Sequence, residues 1–381
     1  MSKIWIIAGE ASGDSYGAEL ARQLRIRQPE VSLQGMGSSL MRQAGVELFT
    51  DSTELGVVGF WEVLKSIPFF CRLLKETVRR AEQERPDVAV LIDYPGYNLR
   101  LAQRLHRLGI RVVWYISPQV WAWKKGRIPK LAACVDRMLC IFPFEPAVYD
   151  GSGLDSRFVG HPLLEILAPW RERVCTRDEK QVVLLPGSRS SEIQRMLPVF
   201  LQSAAQMHAL RPDLHFAMPL ARQSSLAQVQ AMMPNLDLPD GFLNALDISV
   251  GDARDKMVSS IAGLAASGTV TVEAALLGLP VVVAYRLNWL TWQIASCLIK
   301  IPHVSIANLV TNRVVFEEFL QYRAIPENLA PATLALLPGG ARRQEALEGM
   351  RACENALQGG AGQGGVSKEV ARQTLEVARH E

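Results

Sequence analysis

Residues 3–14 read KIWIIAGEASGD, a short apolar run that ends in a loop of small and acidic residues. The apolar part, 3–8, has the length of one buried strand, and it is too short for a secretory signal or a membrane span. The residues after the loop have a helical pattern from Tyr16 to Gln28. A buried strand, a small-residue loop and a helix, in this order, are typical of the start of a βαβ unit.

The same alternation continues along the chain and predicts two runs of strands. In the first half, strands are predicted near 3–8, 31–35, 87–92, 111–116, 137–142 and 157–160. In the second half, they are predicted near 181–185, 214–218, 243–249, 261–266 and 280–285. Helical patterns separate the strands, for example from Pro68 to Glu84 and from Asn98 to Leu108. The predicted fold class is therefore α/β, with parallel sheets joined by right-handed crossovers.

The chain is predicted to form two α/β domains of similar size and a short terminal segment. A stretch of mixed charge without strand periodicity, around Leu164 to Asp178, places the boundary between domains at 1–165 and 166–357. The glycine-rich tether GGAGQGG at 359–365 then leads to a helix from Val366 to Arg379, within a terminal segment 358–381. We expect this helix to pack on the N-terminal domain or on another subunit, and the second arrangement would make a homodimer.

The composition excludes several classes of protein. Hydrophobic residues make up 49% and charged residues 21% of the 381 residues, so the chain is globular rather than disordered. The formal net charge of +3 is too mild to predict a nucleic-acid partner. The six cysteines form no CxxC pair and have no histidine at zinc-finger spacing, so a structural zinc site is not predicted. No cofactor is expected.

Candidate functional residues of the first half follow three predicted strands, because open α/β sheets bind ligands beyond the carboxyl ends of their strands. Glu10 and Ser12 follow the first strand, and Asp93 and Asn98 follow the strand near 87–92. The third loop is SPQVWAWKK at 117–125. Two carboxylates, Glu10 and Asp93, would thus face one crevice. Capping a helix is the equally open alternative for such residues.

Two loops of the second half indicate a nucleotide diphosphate. Gly187, Ser188 and Arg189 end one strand, and Ser267, Gly268 and Thr269 end another; each loop opens a helix. Small residues let a phosphate approach the N–H groups of a helix N-terminus, and the guanidinium of Arg189 suits a diphosphate. Glu273 lies one turn into its helix, where it would hold ribose hydroxyls. The alternative is two ordinary turns with a surface arginine.

Two further features need an interpretation. The sequence GMGSSL at 35–40 resembles a dinucleotide-binding fingerprint, but Leu40 occupies the third glycine position. A dense apolar stretch carries Phe60, Trp61, Leu64, Ile67, Phe69 and Phe70 beside basic residues, and the second half has a similar cluster from Trp289 to Lys300. Each cluster alone would be a buried helix face, but together they fit an interfacial membrane surface.

Nine sequence blocks, in one order over nearly the whole chain, resemble the lipid-A-disaccharide synthase family. The blocks are AGEASGD at 8–14, ELGVVGFWEVL at 54–64, IDYPGYN at 92–98, SPQVWAWKKGR at 117–127, FPFE at 142–145, FVGHP at 158–162, LLPGSRSSEI at 184–193, ASGTVTVEAAL at 266–276 and VSIANLV at 304–310. The resemblance implies two Rossmann-like domains that face a cleft, the GT-B arrangement. It also implies work at the cytoplasmic face of the inner membrane, as a peripheral protein.

The activity that the resemblance implies is an inverting sugar transfer without a metal. The donor would be UDP-2,3-diacylglucosamine and the acceptor 2,3-diacylglucosamine 1-phosphate (lipid X), with the β-1,6-linked disaccharide 1-phosphate and UDP as products. Other UDP-sugar enzymes of this fold, such as the muramyl-pathway GlcNAc transferase or a UDP-GlcNAc 2-epimerase, are the runner-up. A lipid-surface binding module with a regulatory nucleotide site is the third possibility.

Residue roles follow from combining the strand-end positions with the family motifs. On the acceptor side, Asp93 is the expected base, and Glu10 is either the alternative base or an orienting group together with Ser12 and Asn98. Trp121 and Trp123 would contact the substrate, and Lys124, Lys125 and Arg127 the 1-phosphate, although a solvated basic turn explains these three nearly as well. On the donor side, Arg189 and the loops at 187–188 and 267–269 would hold the diphosphate, Glu273 the ribose, and Asn308 the donor. The family often has a second acidic residue where this chain has Gly96, which strengthens Glu10.

Overall fold

The computed structural model describes residues 2–52, 60–288, 292–293, 302–360 and 364–379, with the side chains of 60–67 left out. The chain divides into two compact units, each with its own sheet. Unit 1 comprises Met1–Pro162 and Leu357–Glu381, and unit 2 comprises Leu163–Ala356.

Unit 1 is built on a parallel sheet covered by helices. Its strands are β1 (Lys3–Ala8), β2 (Ser32–Gly37), β3 (Glu47–Asp51), β4 (Val88–Ile92), β5 (Arg111–Tyr115), β6 (Arg137–Cys140) and β7 (Asp155–Phe158). Its helices are α1 (Ala11–Arg27), α2 (Ser39–Gln43), α3 (Phe60–Glu84), α4 (Pro95–Arg107) and α5 (Ile128–Ala132). Among the described residues the strand order is β3-β2-β1-β4-β5-β6-β7.

Unit 2 repeats this architecture. Its strands are β8 (Asp178–Leu185), β9 (His215–Leu220), β10 (Leu246–Val250), β11 (Ser260–Ala266), β12 (Val281–Tyr285) and β13 (Glu318–Leu320). Its helices are α6 (Leu163–Ile166), α7 (Ala168–Arg171), α8 (Ser190–Leu210), α9 (Gln223–Met232), α10 (Ala253–Ser259), α11 (Val270–Leu276), α12 (Ile306–Thr311), α13 (Pro326–Leu334) and α14 (Arg343–Gln358), which ends in unit 1. Within the described part of the chain the strand order is β10-β9-β8-β11-β12-β13, again all parallel.

The central strands are buried on both faces, as parallel sheets require. The side chains from Ile4 to Ala8 in β1 and from Val88 to Leu91 in β4 have no exposed surface. This burial explains why the long apolar runs predicted their strands correctly. β3 and β13 were missed because both are edge strands with half-exposed, partly polar sequences.

The GMGSSL sequence has a packing role. Gly35 and Gly37 lie inside β2, and a Cβ on Gly35 would come within 1.9 Å of the carbonyl oxygen of Ile6. Only glycine therefore fits where β2 approaches its parallel neighbour β1 this closely. The partial match to a dinucleotide fingerprint arises from strand packing in this protein.

The terminal helix, α15 (Val366–Arg379), packs on unit 1 of the same chain, where it contacts α1, β4 and β5. Arg137 is 7% exposed and anchors it. The Arg137 guanidinium donates hydrogen bonds to Gln373 Oε1 at 2.7 Å, Glu376 Oε2 at 2.9 Å and Asp155 Oδ2 at 2.7 Å. A buried guanidinium needs such partners because an unpaired buried charge is strongly destabilising.

Candidate active site

The candidate residues of unit 1 follow the two strands at which the strand order reverses. β1 and β4 are neighbours, and Ala8 pairs with Ile92 at their carboxyl ends. In open α/β sheets the crevice beyond such a switch point is the usual ligand site. Glu10 and Asp93 stand two and one residues beyond these paired ends, so the topology brings the predicted carboxylates to one place.

Gly9 allows the two loops to meet. A Cβ at this position would lie 2.5 Å from a ring carbon of Tyr94, the residue after Asp93. The missing side chain therefore makes room for the Tyr94 ring against the loop that carries Glu10. Phe70 of α3 also packs against that ring, with a centroid distance of 6.4 Å.

The backbone at Asp93 is strained. Asp93 and Tyr94 have φ values of +46° and +50°, in the left-handed region that non-glycine residues avoid. Each such residue costs about 1–3 kcal/mol and persists only when its surroundings enforce it. Here the Asp93 N–H donates to the Tyr115 carbonyl at 2.9 Å, and the Asn98 amide donates to the Asp93 carbonyl at 2.7 Å. This turn fixes the backbone from which the Asp93 side chain projects, and α4 begins two residues later, at Pro95.

The environment raises the pKa of Asp93 to about 6. The largest cause is burial, which disfavours the charged carboxylate, and the second is the charge of Glu10; a hydrogen bond from the Tyr94 N–H lowers it. The carboxylate is therefore mostly ionised at neutral pH and still basic enough to accept a proton. Enzymes tune carboxylic acids in this direction when they serve in general acid–base catalysis.

The capping alternative is wrong for both carboxylates. Glu10 is the N-cap residue of α1, but its exposed side chain makes no capping hydrogen bond. The N-cap of α4 is Tyr94, one residue after Asp93, and it too makes no side-chain cap. Asp14, four residues after Glu10, does cap a helix: its carboxylate accepts hydrogen bonds from the N–H groups of 38, 40 and 41 at the start of α2.

Two predicted contacts of unit 1 take different positions. Ser12 is exposed on the first turn of α1, beside Glu10. Asn98 is fully buried, and its amide nitrogen donates to the carbonyls of Ile92 and Asp93. The amide nitrogen therefore holds the strained turn, while the buried amide oxygen has no hydrogen-bond partner among the described residues, and the contact of Asn98 with the sugar stays a prediction. Gly96 is exposed, and nothing lies within 4 Å of where its Cβ would be, so packing does not demand glycine there.

The loop after β5 presents the predicted aromatic and basic residues. Trp121 is half-buried, and its indole N–H donates to Glu145 Oε1 at 3.2 Å. Trp123 is 46% exposed, and the Lys124 ammonium lies 3.8 Å from the centroid of its ring. Lys125 is exposed and Arg127 is half-buried. An exposed indole with two ammonium groups offers both an apolar surface and positive charge.

The candidate residues of unit 2 also follow a switch point. β8 and β11 are neighbours, and Leu185 pairs with Ala265 near their carboxyl ends. Ser188 and Arg189 are exposed beyond β8. Glu192 was not predicted: its Oε2 accepts the N–H groups of Ser188 and Arg189 at 3.1 and 3.2 Å. The signal in the sequence was a glutamate three residues after the N-cap Arg189 of α8, the spacing of a capping box.

The second loop of unit 2 contains Ser267, Gly268 and Thr269. The Ser267 hydroxyl donates to the Val304 carbonyl at 3.1 Å, and Thr269, the exposed N-cap residue of α11, makes no side-chain cap. Glu273 is half-buried and pairs with Arg254 at 3.3 Å. Within the described residues, the printed contact of this carboxylate uses Oε1 alone, and the ribose contact of Glu273 stays a prediction.

Asn308 is buried in α12 and has no exposed surface. Its amide nitrogen donates to the Phe316 carbonyl and Glu318 Oε1 at 2.8 and 2.9 Å. Its amide oxygen accepts the N–H groups of Val315 and Phe316, both at 2.9 Å. Both amide donors and both acceptor positions are thus occupied, which corrects the predicted donor contact: Asn308 ties α12 to the segment before β13.

The predicted membrane residues are described only in part. Phe69 is 42% exposed, and Phe70 is half-buried between Phe69 and Tyr94. The side chains of Phe60, Trp61, Leu64 and Ile67 lie outside the described residues, as does most of the second cluster. In the described part of the chain, no helix is both long and apolar enough to cross a bilayer.

A cavity of about 370 Å³ in unit 2 lies away from these residues. It is lined by residues that precede β8, β11 and β12, among them Arg177, Val258 and Gly278. It therefore opens at the amino ends of the strands, opposite the switch point. The described residues contain no group of three or more His, Cys, Asp or Glu side chains that would hold a metal ion.

Comparisons with known proteins identify the family of this chain. A family model described as lipid-A-disaccharide synthetase matches residues 4–368. The chain belongs to this family. The lipid-A-disaccharide synthase of Anaeromyxobacter dehalogenans strain 2CP-1 is 38% identical over 385 residues, which cover 99% of this chain and 98% of that protein. Membership of the lipid-A-disaccharide synthetase family confirms the resemblance carried by the nine blocks.

Solved structures confirm the fold of this family member. The glycotransferase of kitacinnamycin has a TM-score of 0.68 at 14% identity, with 98% of both chains covered. The UDP-GlcNAc 2-epimerase from Neisseria meningitidis, solved with UDP-GlcNAc, has a TM-score of 0.63 at 12% identity and covers 98% of this chain and 100% of its own. At these identities the likeness concerns the α/β, GT-B-like fold alone.

Proposed function

We propose that this protein transfers 2,3-diacylglucosamine from its UDP ester to the 6-hydroxyl of lipid X, with Asp93 as the general base. Membership of the lipid-A-disaccharide synthetase family supports the synthesis of the lipid A disaccharide. The observation that supports the role of Asp93 is its position: a strained, partly buried carboxylate with a raised pKa at the switch point of unit 1.

The chemical step follows from these groups. The acceptor 6-hydroxyl loses its proton to Asp93 as its oxygen attacks the anomeric carbon of the donor. The bond between this carbon and the UDP oxygen breaks on the opposite face, which inverts the anomeric configuration. UDP leaves with the bonding electron pair. Glu10 raises the basicity of Asp93, and it is assigned, with the exposed Ser12 beside it, to orienting the acceptor sugar.

The leaving diphosphate gains negative charge in the transition state, so fixed donors near it accelerate the reaction. Arg189 and the N–H groups of the loops after β8 and β11 supply such donors. The Glu192 carboxylate already accepts two of these N–H groups, at Ser188 and Arg189. The diphosphate must therefore share these donors with Glu192 or displace its carboxylate. Glu273 is assigned to the ribose hydroxyls.

The acceptor is anionic and acylated, and the exposed residues of unit 1 match both properties. Lys124, Lys125 and Arg127 are assigned to the 1-phosphate, because guanidinium and ammonium groups form charge-assisted hydrogen bonds with phosphate. Trp121 and Trp123 are assigned to the substrate, and Phe69 and Phe70 to the acyl chains or the lipid surface. We therefore propose that the protein works as a peripheral protein at a membrane surface, which the family resemblance assigns to the cytoplasmic face of the inner membrane.

The test is the release of UDP from UDP-2,3-diacylglucosamine in the presence and in the absence of lipid X. Release that requires lipid X, together with a β-1,6-linked product, is the expected result. Release without an acceptor would instead support a hydrolase or an epimerase. No release in either condition would leave a binding module as the function.

A further inference from the structure

We propose that Glu145 is a positioning residue for the acceptor: its buried carboxylate fixes Trp121 and thereby the loop 117–127 that receives the acceptor phosphate. This inference rests on the proposed function, because it assigns the loop to the acceptor. Glu145 belongs to the FPFE block, for which neither position nor chemistry had suggested a role.

The carboxylate of Glu145 joins two loops of unit 1. Its Oε2 accepts the N–H groups of Ile141 and Phe142 at 3.0 and 3.1 Å, in the loop after β6. Its Oε1 accepts the indole N–H of Trp121 at 3.2 Å, in the loop after β5. One side chain thus ties the middle of the loop 117–127, at Trp121, to the loop after β6.

The Glu145 carboxylate is buried and therefore depends on its hydrogen-bond donors. Glu145 is 1% exposed, and a buried carboxylate is costly unless hydrogen-bond donors surround it. Desolvation raises its pKa to about 7, while the donors from Phe142, Ile141, Trp121 and Ser117 lower it. A hydrophobic residue here would leave the N–H groups of Ile141, Phe142 and Trp121 without this acceptor, so the carboxylate and its donors depend on each other.

The residue before this loop, Ile116, has a strained backbone conformation that its surroundings must hold in place. Ile116 has φ +69°, an outlier for a β-branched residue. The conformation is enforced from both sides: the Ile116 N–H donates to the Leu139 carbonyl at 3.0 Å, and the Trp114 indole donates to the Ile116 carbonyl at 3.0 Å. Strain of this kind is concentrated at ligand sites, where the surrounding structure maintains it.

Aromatic packing connects Glu145, through Trp121, with the exposed part of the loop. The Trp121 ring packs edge-on against Phe144 at 5.2 Å, and Phe144 stacks on Phe142 at 5.7 Å. Two residues beyond Trp121, the exposed Trp123 and Lys124 rest against each other. A shift of Trp121 therefore moves the groups assigned to the acceptor, and a displacement of about 1 Å can cost up to about a hundredfold in rate.

Unit 2 contains a matched carboxylate that serves as a control. Glu318 accepts the N–H groups of Val304 and Ser305 at 3.0 and 2.7 Å and the Asn308 amide at 2.9 Å. It ties down the loop whose Val304 carbonyl receives the Ser267 hydroxyl. Glu145 and Glu318 thus perform the same kind of bracing on the acceptor side and on the donor side.

The experiment compares Glu145→Gln with Glu318→Gln by measuring KM separately for lipid X and for the UDP donor. The amide of Glu145→Gln turns a donor toward the backbone N–H groups or toward Trp121, so we expect the KM for lipid X to rise about tenfold while the donor KM stays within about twofold. Glu318→Gln should raise the donor KM and leave the KM for lipid X unchanged. Equal effects of Glu145→Gln on both KM values, or none, would overturn the proposal.

A double-mutant cycle separates positioning from general stability. Trp121→Phe keeps the aromatic packing and removes the indole donor. If Glu145 acts through Trp121, Glu145→Gln combined with Trp121→Phe should raise the KM for lipid X little more than the larger single change. Multiplying effects would contradict the assignment.

Amide hydrogen exchange gives a readout that does not depend on activity. Glu145→Gln should speed exchange in 117–124 and leave 303–308 unchanged, with the opposite pattern for Glu318→Gln. Unchanged exchange in 117–124 would refute the bracing role even if the wild type made no disaccharide. Absence of transfer by the wild type would refute the proposed function instead, so the two failures are distinguishable.

Discussion

The two switch points have the same topology and opposite chemistry. In unit 1, Asp93 and Tyr94 have left-handed backbone conformations, and the partly buried carboxylate of Asp93 lies near that of Glu10. In unit 2, Gly187 and Gly268 take the positive φ values, and the exposed side chains beyond β8 include a guanidinium. A strained acidic site suits proton removal, which needs a tuned base in a fixed orientation. An open, glycine-rich basic site suits a diphosphate, which needs many donors around a large anion.

The largest expected effect tests the acidic switch point. Asp93→Asn keeps the shape of the side chain and removes the base, so we expect kcat to fall by about 10²- to 10⁴-fold. The Kd for UDP, measured by calorimetry, should stay unchanged because UDP is assigned to unit 2. The matched control is Asp87→Asn, at an acidic residue at the opposite end of β4 whose carboxylate accepts the Lys3 N–H at 2.8 Å. A wild-type rate in Asp93→Asn would show that another group takes the proton.

The next effect tests the basic switch point. Arg189→Ala removes a charged donor, worth about 1.5–3 kcal/mol, so the Kd for UDP should rise about ten- to hundredfold. Arg195→Ala is the control, since this arginine lies on the same helix and bonds the Ser191 carbonyl at 3.3 Å. Equal losses of UDP affinity in the two variants would indicate a general effect of charge on unit 2.

A smaller effect tests the strained turn. Asn98→Ala leaves the carbonyls of Ile92 and Asp93 without their donor, so the free energy of unfolding should fall by about 1–3 kcal/mol and kcat about tenfold. Urea denaturation and steady-state rates measure the two quantities. Asn328→Ala removes a comparable bond, to the Arg323 carbonyl, near the surface and should change stability by less than about 0.5 kcal/mol. An active Asn98→Ala that lost only stability would separate the turn from catalysis.

The smallest effect concerns pH. Asp93 must be ionised to act as a base, and its pKa is raised to about 6, so kcat/KM should rise with pH through about 6. Glu10→Gln removes the charge that is the second cause of this raised pKa, after burial, so the rising limb should move to lower pH. Glu19→Gln, at a half-buried residue of the same helix, should leave the limb in place. A limb that moves to higher pH in Glu10→Gln would contradict the coupling.

The raised pKa of Asp93 also predicts how the stability of the folded protein depends on pH. The folded state binds the Asp93 proton more tightly than the unfolded chain, because the folded pKa of about 6 exceeds the ordinary value of 3.8. The contribution of this group to stability is therefore full below about pH 4 and is lost as the pH rises through about 6.

Much of the fold and part of the candidate site could be predicted from the sequence. Apolar runs such as 88–92 predict buried strands because burial on both faces needs unbroken hydrophobic residues. Edge strands such as β3 carry no such signal. The location of Asp93 and Arg189 was predictable because loops after parallel strands open at one edge of a sheet. The roles of Asn98 and Asn308 were not, because their amides are buried by residues that are close only in the fold.

The sequence by itself determined the order of strands and loops and therefore which side chains stand at the carboxyl ends of the two sheets. Local alternation of apolar and polar residues is enough for that, because it follows from the geometry of strands and helices. Only the tertiary structure decided which polar groups face outward and which hold loops in place by hydrogen bonds, as Glu145, Glu192 and Glu318 do. Hydrogen bonds depend on distances of a few tenths of an ångström between segments far apart in the chain, and no spacing along the sequence encodes those distances.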